Sequence, residues 1–313
     1  MVRVGISLGD PSGIGAEVTL AALRNTKVRR ALTPVLFGDA SLKVPRGVEL
    51  RVISQLAAKD RRPGKPTLVG GRAQLAYVTA AIAAAQAGEV DALCTAPVSK
   101  EMITRSGLPF AGHTELLAES FGVEVMMLMK GPRLSVALAT NHLPIAKVPG
   151  ALSTKKLEAQ LALLDRGLEP VLGRRPRIAV CGLNPHAGDG GVLGDEEQRV
   201  IAPAIAAARA RGLDLEGPLA ADGLFARAGT GRFPFDVALA MFHDQGLVAT
   251  KTLDFARTVN VTLGLPVPRT SPDHGVAWDI AGRGVADPTP MISALLEAAA
   301  FAKRGAKPPK SRR

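Results

Sequence analysis

Residues 2–39 read VRVGISLGDPSGIGAEVTLAALRNTKVRRALTPVLFGD, and the order of patterns within that stretch decides the fold class. VRVGISL (2–8) has the apolar, β-branched character of a strand, GAEVTLAALRN (15–25) reads as a helix, and TPVLFGD (33–39) returns to a strand. The alternation continues in VDALCTAP (90–97) followed by SKEMITRSG (99–107), and it predicts an α/β protein with a parallel or mixed sheet covered by helices. Longer helices are expected over Arg72–Ala87, Thr154–Leu172, Asp195–Arg211 and Thr289–Lys303, with Ser153 as the N-cap of the second. No internal repeat or long low-complexity linker separates them, so a second domain would be interleaved with the first.

Bulk properties narrow the function classes. A chain of 313 residues, 47% of them hydrophobic, can bury a large core and has room for two ordinary domains. Its longest apolar stretch, around Ala76–Ala87, falls short of the roughly 20 residues that span a bilayer, and no signal-peptide pattern opens the chain. A cytoplasmic protein without membrane partners is expected. Cys94 and Cys181 each lie in a strand-like run far from any second cysteine, which reads as two buried free thiols.

The net charge of +11 invites a nucleic-acid reading, but its distribution argues against one. Six basic residues crowd the final segment KRGAKPPKSRR (303–313), read as a disordered basic tail, and one Trp and one Tyr leave little to stack on bases.

The placement of the five histidines is more informative. His142 follows LSVALAT, His186 follows RIAVCGL and His243 follows DVALAMF, while His113 lies in AGHTE and His274 in PDHG. Three imidazoles at the carboxyl ends of strands stand where open α/β sheets place their sites, and they suit a divalent metal with positions left open for substrate. Asp222, Asp244 and Asp189 lie in nearby turns, able to fix a ring tautomer from a second layer. Turn histidines bonded to local backbone are the competing account of each one singly.

Two glycine-rich segments have the chemistry of anion or nucleotide loops. GDPSGIGAE (9–17) joins the first strand to the first helix and could present backbone N–H groups to an anion, although it fits neither G-x-G-x-x-G nor a P-loop. DHGVAWDIAGRGVADPTPM (273–291) could admit a flat ligand, with Gly275 allowing close approach and His274 and Asp279 reaching an adenosine. Lys100, Lys251 and Arg269 stand beside strand ends and would pair with a carboxylate or phosphate.

In order along the chain, GDPSGIGAE, TAPVSK, GHTE, TNHLP, NPHAGDGG, GPLAAD, FHDQG and DHG closely resemble the 4-hydroxythreonine-4-phosphate dehydrogenase family of vitamin B6 biosynthesis. HGVAWDIAGRGVADP (274–288) is similar to the cofactor loop of isopropylmalate and isocitrate dehydrogenases. The sequence departs modestly, with Ala16 where proline is common and Gly223 where threonine is common.

The resemblance implies two interleaved α/β/α domains, residues 1–125 with 265–302 on the cofactor side and 126–264 carrying metal and dimer contacts, with the active site in the cleft. It implies a metal (zinc, cobalt, manganese or magnesium) held by His142, His186 and His243, in a site shared across a homodimer. His113, Thr114, Lys251, Asn260 and Arg269 would bind substrate, and NAD or NADP would lie against the loop bearing His274, Gly275 and Asp279.

The implied reaction oxidises 4-phosphohydroxy-L-threonine at C3 and releases carbon dioxide to give 3-amino-2-oxopropyl phosphate, on the route to pyridoxal 5'-phosphate. Related β-decarboxylating enzymes use a lysine and a tyrosine, but Tyr77 lies within an Ala-rich helix, so Lys251 or Lys100, or a metal-bound water, is the preferred proton acceptor. Oxidation of 4-phospho-D-threonate or 4-phospho-D-erythronate by the same machinery is the nearest alternative. A metal-dependent enzyme without redox chemistry, acting on a phosphorylated sugar acid, would not need the HGVAWDIAGRG loop.

Overall fold

The expected alternation becomes eleven strands in a computed structural model that describes residues 1–305. They are β1 (Val2–Ser7), β2 (Leu32–Asp39), β3 (Glu49–Ser54), β4 (Ala92–Thr95), β5 (Met126–Lys130), β6 (Ser135–Leu138), β7 (Arg177–Cys181), β8 (Asp214–Leu219), β9 (Val237–Ala240), β10 (Val259–Leu263) and β11 (Arg269–Pro272). Two units emerge, one made of Met1–Glu124 and the described residues from Val259, the other of Val125–Thr258. The second crossing falls six residues before the expected position 265. β10 is the reason, because it pairs antiparallel with β11 from Val259 opposite Pro272 to Thr262 opposite Arg269.

In the first unit the strand order is β3-β2-β1-β4-β11-β10, with all neighbours parallel except β10 and β11. Opening residues 2–39 thus form a parallel β1–β2 pair with helices Gly15–Ala22 and Thr26–Ala31 between the strands. Helix Leu68–Gln86 is the one helix among the described residues long and apolar enough to cross a membrane. Its Ala73, Tyr77, Val78, Ala81 and Ile82 pack in one core with Val35, Phe37 and Leu93. Gly71 permits a close helix–helix approach, since a Cβ there would lie 2.3 Å from the carbonyl oxygen of Met102.

The second unit orders its strands β5-β6-β9-β7-β8, antiparallel at β5–β6 and parallel thereafter. Its longest helix occupies Thr154–Leu172, capped by Ser153, whose Oγ accepts the Lys156 N–H at 3.3 Å, and closed by Gly173 at φ 72°. Leu157, Leu161, Leu164 and Leu168 recur at helical spacing on its buried face, and burying each such side chain contributes about 1.5–3 kcal/mol.

The helix expected over Asp195–Arg211 opens with a π turn, Glu197–Ile201, before continuing as Ala202–Ala210. The last helix runs Thr289–Gly305, so Lys303 and Arg304 are helical where a tail was expected; the rest of that basic segment lies outside the described residues. Ala294, Leu295, Ala298 and Ala302 give that helix a buried face that runs up to Lys303. Cys94 and Cys181 are both free and buried, and burial pushes each thiol up to about 12, which leaves them protonated and inert.

Candidate functional site

The second unit carries the three expected metal ligands on neighbouring strands. β6, β9 and β7 lie side by side and parallel, and His142, His243 and His186 occur just beyond their carboxyl ends. Adjacent strands stand about 4.8 Å apart, so sheet geometry alone puts the three loops at one edge of the unit.

Side chains tie these loops together. Thr140 Oγ1 donates to the Met241 carbonyl at 2.7 Å, linking the His142 and His243 turns. Gln245 accepts from the Met241 N–H at 2.7 Å and donates to the Gly182 carbonyl at 2.8 Å, linking the His243 turn to the end of β7.

The histidines differ in what surrounds them. His243 opens helix His243–Asp254, and its Nδ1 lies 2.7 Å from Asp244 Oδ1. With Nδ1–H donating to that carboxylate, the lone pair of the neutral ring is left on Nε2, the arrangement that metal-bound histidines use. The His142 ring is exposed and stands 5.2 Å from the His243 ring, centroid to centroid. His186 is also exposed and sits in a run of left-handed residues: φ is 53° at His186, 54° at Ala187, 82° at Gly188, 43° at Asp189 and 65° at Gly190.

Two of the three rings are therefore in contact. Among the described residues no group of three His, Cys, Asp or Glu side chains is close enough to hold a metal by itself. The donor types and the oriented His243 fit a divalent ion. Asp222 is exposed in the first turn of helix Ala221–Gly229 and shares with Asp244 an open, mainly apolar groove of about 530 Å³.

A second cluster belongs to the first unit. Arg269 on β11 is only 2% exposed, yet no carboxylate pairs with it among the described residues. Its guanidinium donates to two neutral hydroxyls, Thr262 Oγ1 at 3.1 Å and Thr95 Oγ1 at 2.5 Å, and its Nε has no acceptor. Burial pulls its pKa down to about 10, so it remains a cation at neutral pH. Isolated buried charge is costly, and a site that keeps one is prepared for an anion.

His113, at the start of helix His113–Phe121, lies close enough to Arg269 to sense its charge. Burial first and that cation second push the imidazole down to about 3, so the ring is neutral at pH 7. Its Nε2 is buried and without a hydrogen-bond partner, and so is Asn260 Oδ1. Asn260 and Thr262 alternate on one face of β10, which brings the Asn260 side chain to the face where Thr262 meets Arg269. Thr114 is half-buried one residue beyond His113.

The remaining nominated residues are dispersed. Lys251 is half-buried late in the His243 helix, with its ammonium 5.9 Å from the Phe255 ring centre, whereas Lys100 is exposed at the start of helix Lys100–Arg105. His274 Nδ1–H donates to the Gly275 carbonyl at 3.0 Å, and among the described residues its buried Nε2 has no partner. Gly275 and Asp279 are exposed, and a Cβ at Gly275 would meet nothing within 4 Å.

Four amides of the glycine-rich loop after β1 are already in use. Asp10 N–H donates to Pro97 O, Ser12 N–H to Asp10 Oδ1, Gly13 N–H to Asp10 O and Ile14 N–H to Val276 O. The loop is packed against residues 276–282: a Cβ on Gly13 would lie 2.8 Å from Val276 O, and Trp278 Nε1 donates to Asp10 Oδ2 at 3.0 Å. Desolvation raises the Asp10 pKa against the pull of those donors. Gly13 thus serves close packing, and the amides of residues 10 and 12–14 are taken up within the unit.

Sequence reasoning missed Thr95, Thr262, Glu197 and Gln245. Thr95 stands in TAPVSK, where only the lysine drew attention; the others carry no local signal.

Residues 8–298 match the family described as "Pyridoxal phosphate biosynthetic protein PdxA". The chain belongs to the PdxA family. A relative from Geobacter metallireducens named 4-hydroxythreonine-4-phosphate dehydrogenase is 43% identical over 326 residues, covering 96% of each chain. Another PdxA-like relative, from Cupriavidus necator, is named D-threonate 4-phosphate dehydrogenase and is 40% identical, covering 97% of this chain and 98% of its own. The crystal structure of a 4-hydroxythreonine-4-phosphate dehydrogenase from Burkholderia phymatum superposes with a TM-score of 0.81 at 37% identity, covering 96% of this chain and 98% of that one. Isocitrate dehydrogenase from Methylococcus capsulatus shares the fold, with a TM-score of 0.51 at 17% identity, covering 97% and 88%.

Proposed function

We propose that this PdxA protein is a metal- and nicotinamide-dependent dehydrogenase that oxidises 4-phosphohydroxy-L-threonine at C3, with loss of carbon dioxide, to 3-amino-2-oxopropyl phosphate for pyridoxal 5'-phosphate synthesis. The observation that carries the reading is Arg269, a buried cation whose only partners among the described residues are two threonine hydroxyls, beside the neutral His113. A phosphate or carboxylate supplies the missing counter-charge, takes donors from the guanidinium and leaves His113 to donate one neutral hydrogen bond. Thr114 and Asn260 offer further hydrogen bonds for hydroxyl or amine groups.

His142, His186 and His243 would hold the divalent metal, with Asp244 fixing the His243 tautomer and Asp222 in the outer layer. Zinc, cobalt, manganese or magnesium would supply Lewis acidity for an alcohol and a ketone oxygen, and the imidazoles favour the softer ions of that set. NAD or NADP would accept the hydride, bound against the loop of His274, Gly275 and Asp279. Lys251, half-buried where Lys100 is exposed, is preferred as the group that takes the hydroxyl proton. Tyr77 is unsuited to that task, since burial pushes its hydroxyl up to about 12 and it is bonded to Ser54 at 2.6 Å.

Nicotinamide reduction, followed by absorbance with 4-phosphohydroxy-L-threonine, tests the reading. Turnover that chelator abolishes is expected, and the absence of reduction with any phosphorylated hydroxy acid tried would overturn it. The Cupriavidus relative makes 4-phospho-D-threonate the second substrate to assay, with 4-phospho-D-erythronate beside it.

A homodimer completing its sites from the partner is part of this proposal. Leu143, Ile145, Val192 and Leu193 are exposed apolar residues flanking His142 and His186, with Ile145 at 66% and Val192 at 80%. Sedimentation should give twice the chain mass, and Val192→Asp should shift it toward one.

A further inference from the structure

We infer that Glu197 is a positioning residue: it latches the turn bearing His186 into its left-handed form and so sets how well that histidine can serve the metal. The second half rests on His186 being a ligand; the first half does not.

Left-handed backbone disfavours residues with a Cβ, and here His186, Ala187 and Asp189 all adopt it within five consecutive positions. Such a run persists only where its surroundings over-determine it. Glu197 is the principal such surrounding. It is nearly fully buried, and its Oε1 accepts both the Leu183 and the Asn184 N–H at 2.7 Å, while Oε2 accepts from Asn184 Nδ2 at 2.9 Å. Burial pushes this carboxyl up, yet those donors prevail and hold it below its ordinary range, so the ionised form does the accepting.

The glycines of the turn are shaped around the same carboxylate. A Cβ on Gly182 would stand 3.0 Å from Oε1, and one on Gly188 2.7 Å from Oε2. The carboxylate therefore lies against both the entry of the turn and its middle, while the neighbouring Gln198 donates to Gly190 O at 2.8 Å. Glu197 also begins the π turn, the widened helical geometry that recurs at functional sites. Gln245, through Gly182, connects this latched entry to the His243 turn.

The test compares Glu197→Ala, Glu197→Gln and His186→Ala in the full chain. Zinc affinity is read by competition with a chromophoric chelator, amide hydrogen exchange over residues 183–191 by mass spectrometry, and folding by thermal melting. Glu197→Ala is expected to lose protection across 183–191 and to bind zinc about 10- to 100-fold more weakly, the range seen when an outer partner of a metal ligand is removed. Glu197→Gln keeps one oxygen for the two backbone N–H groups and should fall between Ala and the parent, which keeps the test usable if the alanine variant unfolds. Parent-like exchange over 183–191 in the folded variants overturns the latch. Weaker zinc binding in His186→Ala with parent-like zinc binding in both Glu197 variants overturns its link to the metal. Unchanged zinc binding in His186→Ala points instead to a wrong ligand assignment, and the exchange data still decide the latch.

Discussion

Replacing Arg269 by methionine is expected to lower kcat/KM for the phosphorylated substrate by roughly 30- to 5000-fold while leaving the melting temperature unchanged or higher. Removing one partner of a desolvated ion pair costs about 2–5 kcal/mol of binding, which converts to that range. Stability should move the other way. Among the described residues the guanidinium is buried with two threonine hydroxyls and no carboxylate, so its desolvation is only partly compensated. Exchanging such a charge for an apolar side chain of similar volume is commonly neutral or stabilising, and here it is offset by the loss of two charge-assisted hydrogen bonds to threonine hydroxyls.

Arg269→Lys is the control. An ammonium keeps the charge but cannot span Thr95 and Thr262 with one planar fork, so it should recover only part of the activity. A methionine variant that melts far below the parent yet turns over normally would make Arg269 structural and sink the anion-site reading.

The same substitution bears on His113. Its folded pKa of about 3 lies below the ordinary 6.5, so between those values the unfolded chain takes up a proton that the folded one refuses. Stability is accordingly lost as the pH falls through that window. Burial, the larger cause, remains in Arg269→Met, but the nearby cation is gone. The His113 pKa should rise, and this part of the acid sensitivity should shrink, as an NMR titration of the ring would show.

How much of this was legible in the sequence depends on the range of the interactions involved. Helix Thr154–Leu172 was readable to the residue because its determinants are local: Ser153 caps it, leucines recur along one face, and Gly173 ends it. The strand-end placement of His142, His186 and His243 was readable because each apolar run directly precedes its histidine. The adjacency of β6, β9 and β7 was not, since pairing between residues as far apart as Val136 and Ala238, or Ile178 and Val237, leaves no local mark.

Arg269 shows the same limit more sharply. Its sequence neighbours suggested a cation beside a strand end that could meet an anion, but not that Thr95, 174 positions away, lies against it in a buried position. The loop GDPSGIGAE misled for a related reason. Its glycines advertise free amides, and only the packing against Val276 and Trp278 reveals that those of residues 10 and 12–14 are in use. The last helix overran its expected end because lysine and arginine are good helix formers, and a buried face upstream carries them along.

The second large effect is expected at His186, where metal binding and stability should separate. His186→Gly removes both a ligand and a Cβ held at φ 53°. Relief of left-handed strain is worth about 1 kcal/mol, so the variant should melt above the parent, while zinc affinity falls by more than about 100-fold. His142→Ala and His243→Ala should lose metal comparably without that gain, because the strain belongs to the His186 turn. His142 is exposed, so its substitution should change stability by no more than about 0.5 kcal/mol. A glycine variant that binds zinc less tightly and is also less stable would mean that the imidazole contributes packing the structure does not display. If instead it is more stable and loses zinc, the turn is strained for the sake of the ligand it carries, which is how strain at a functional site differs from strain tolerated by accident.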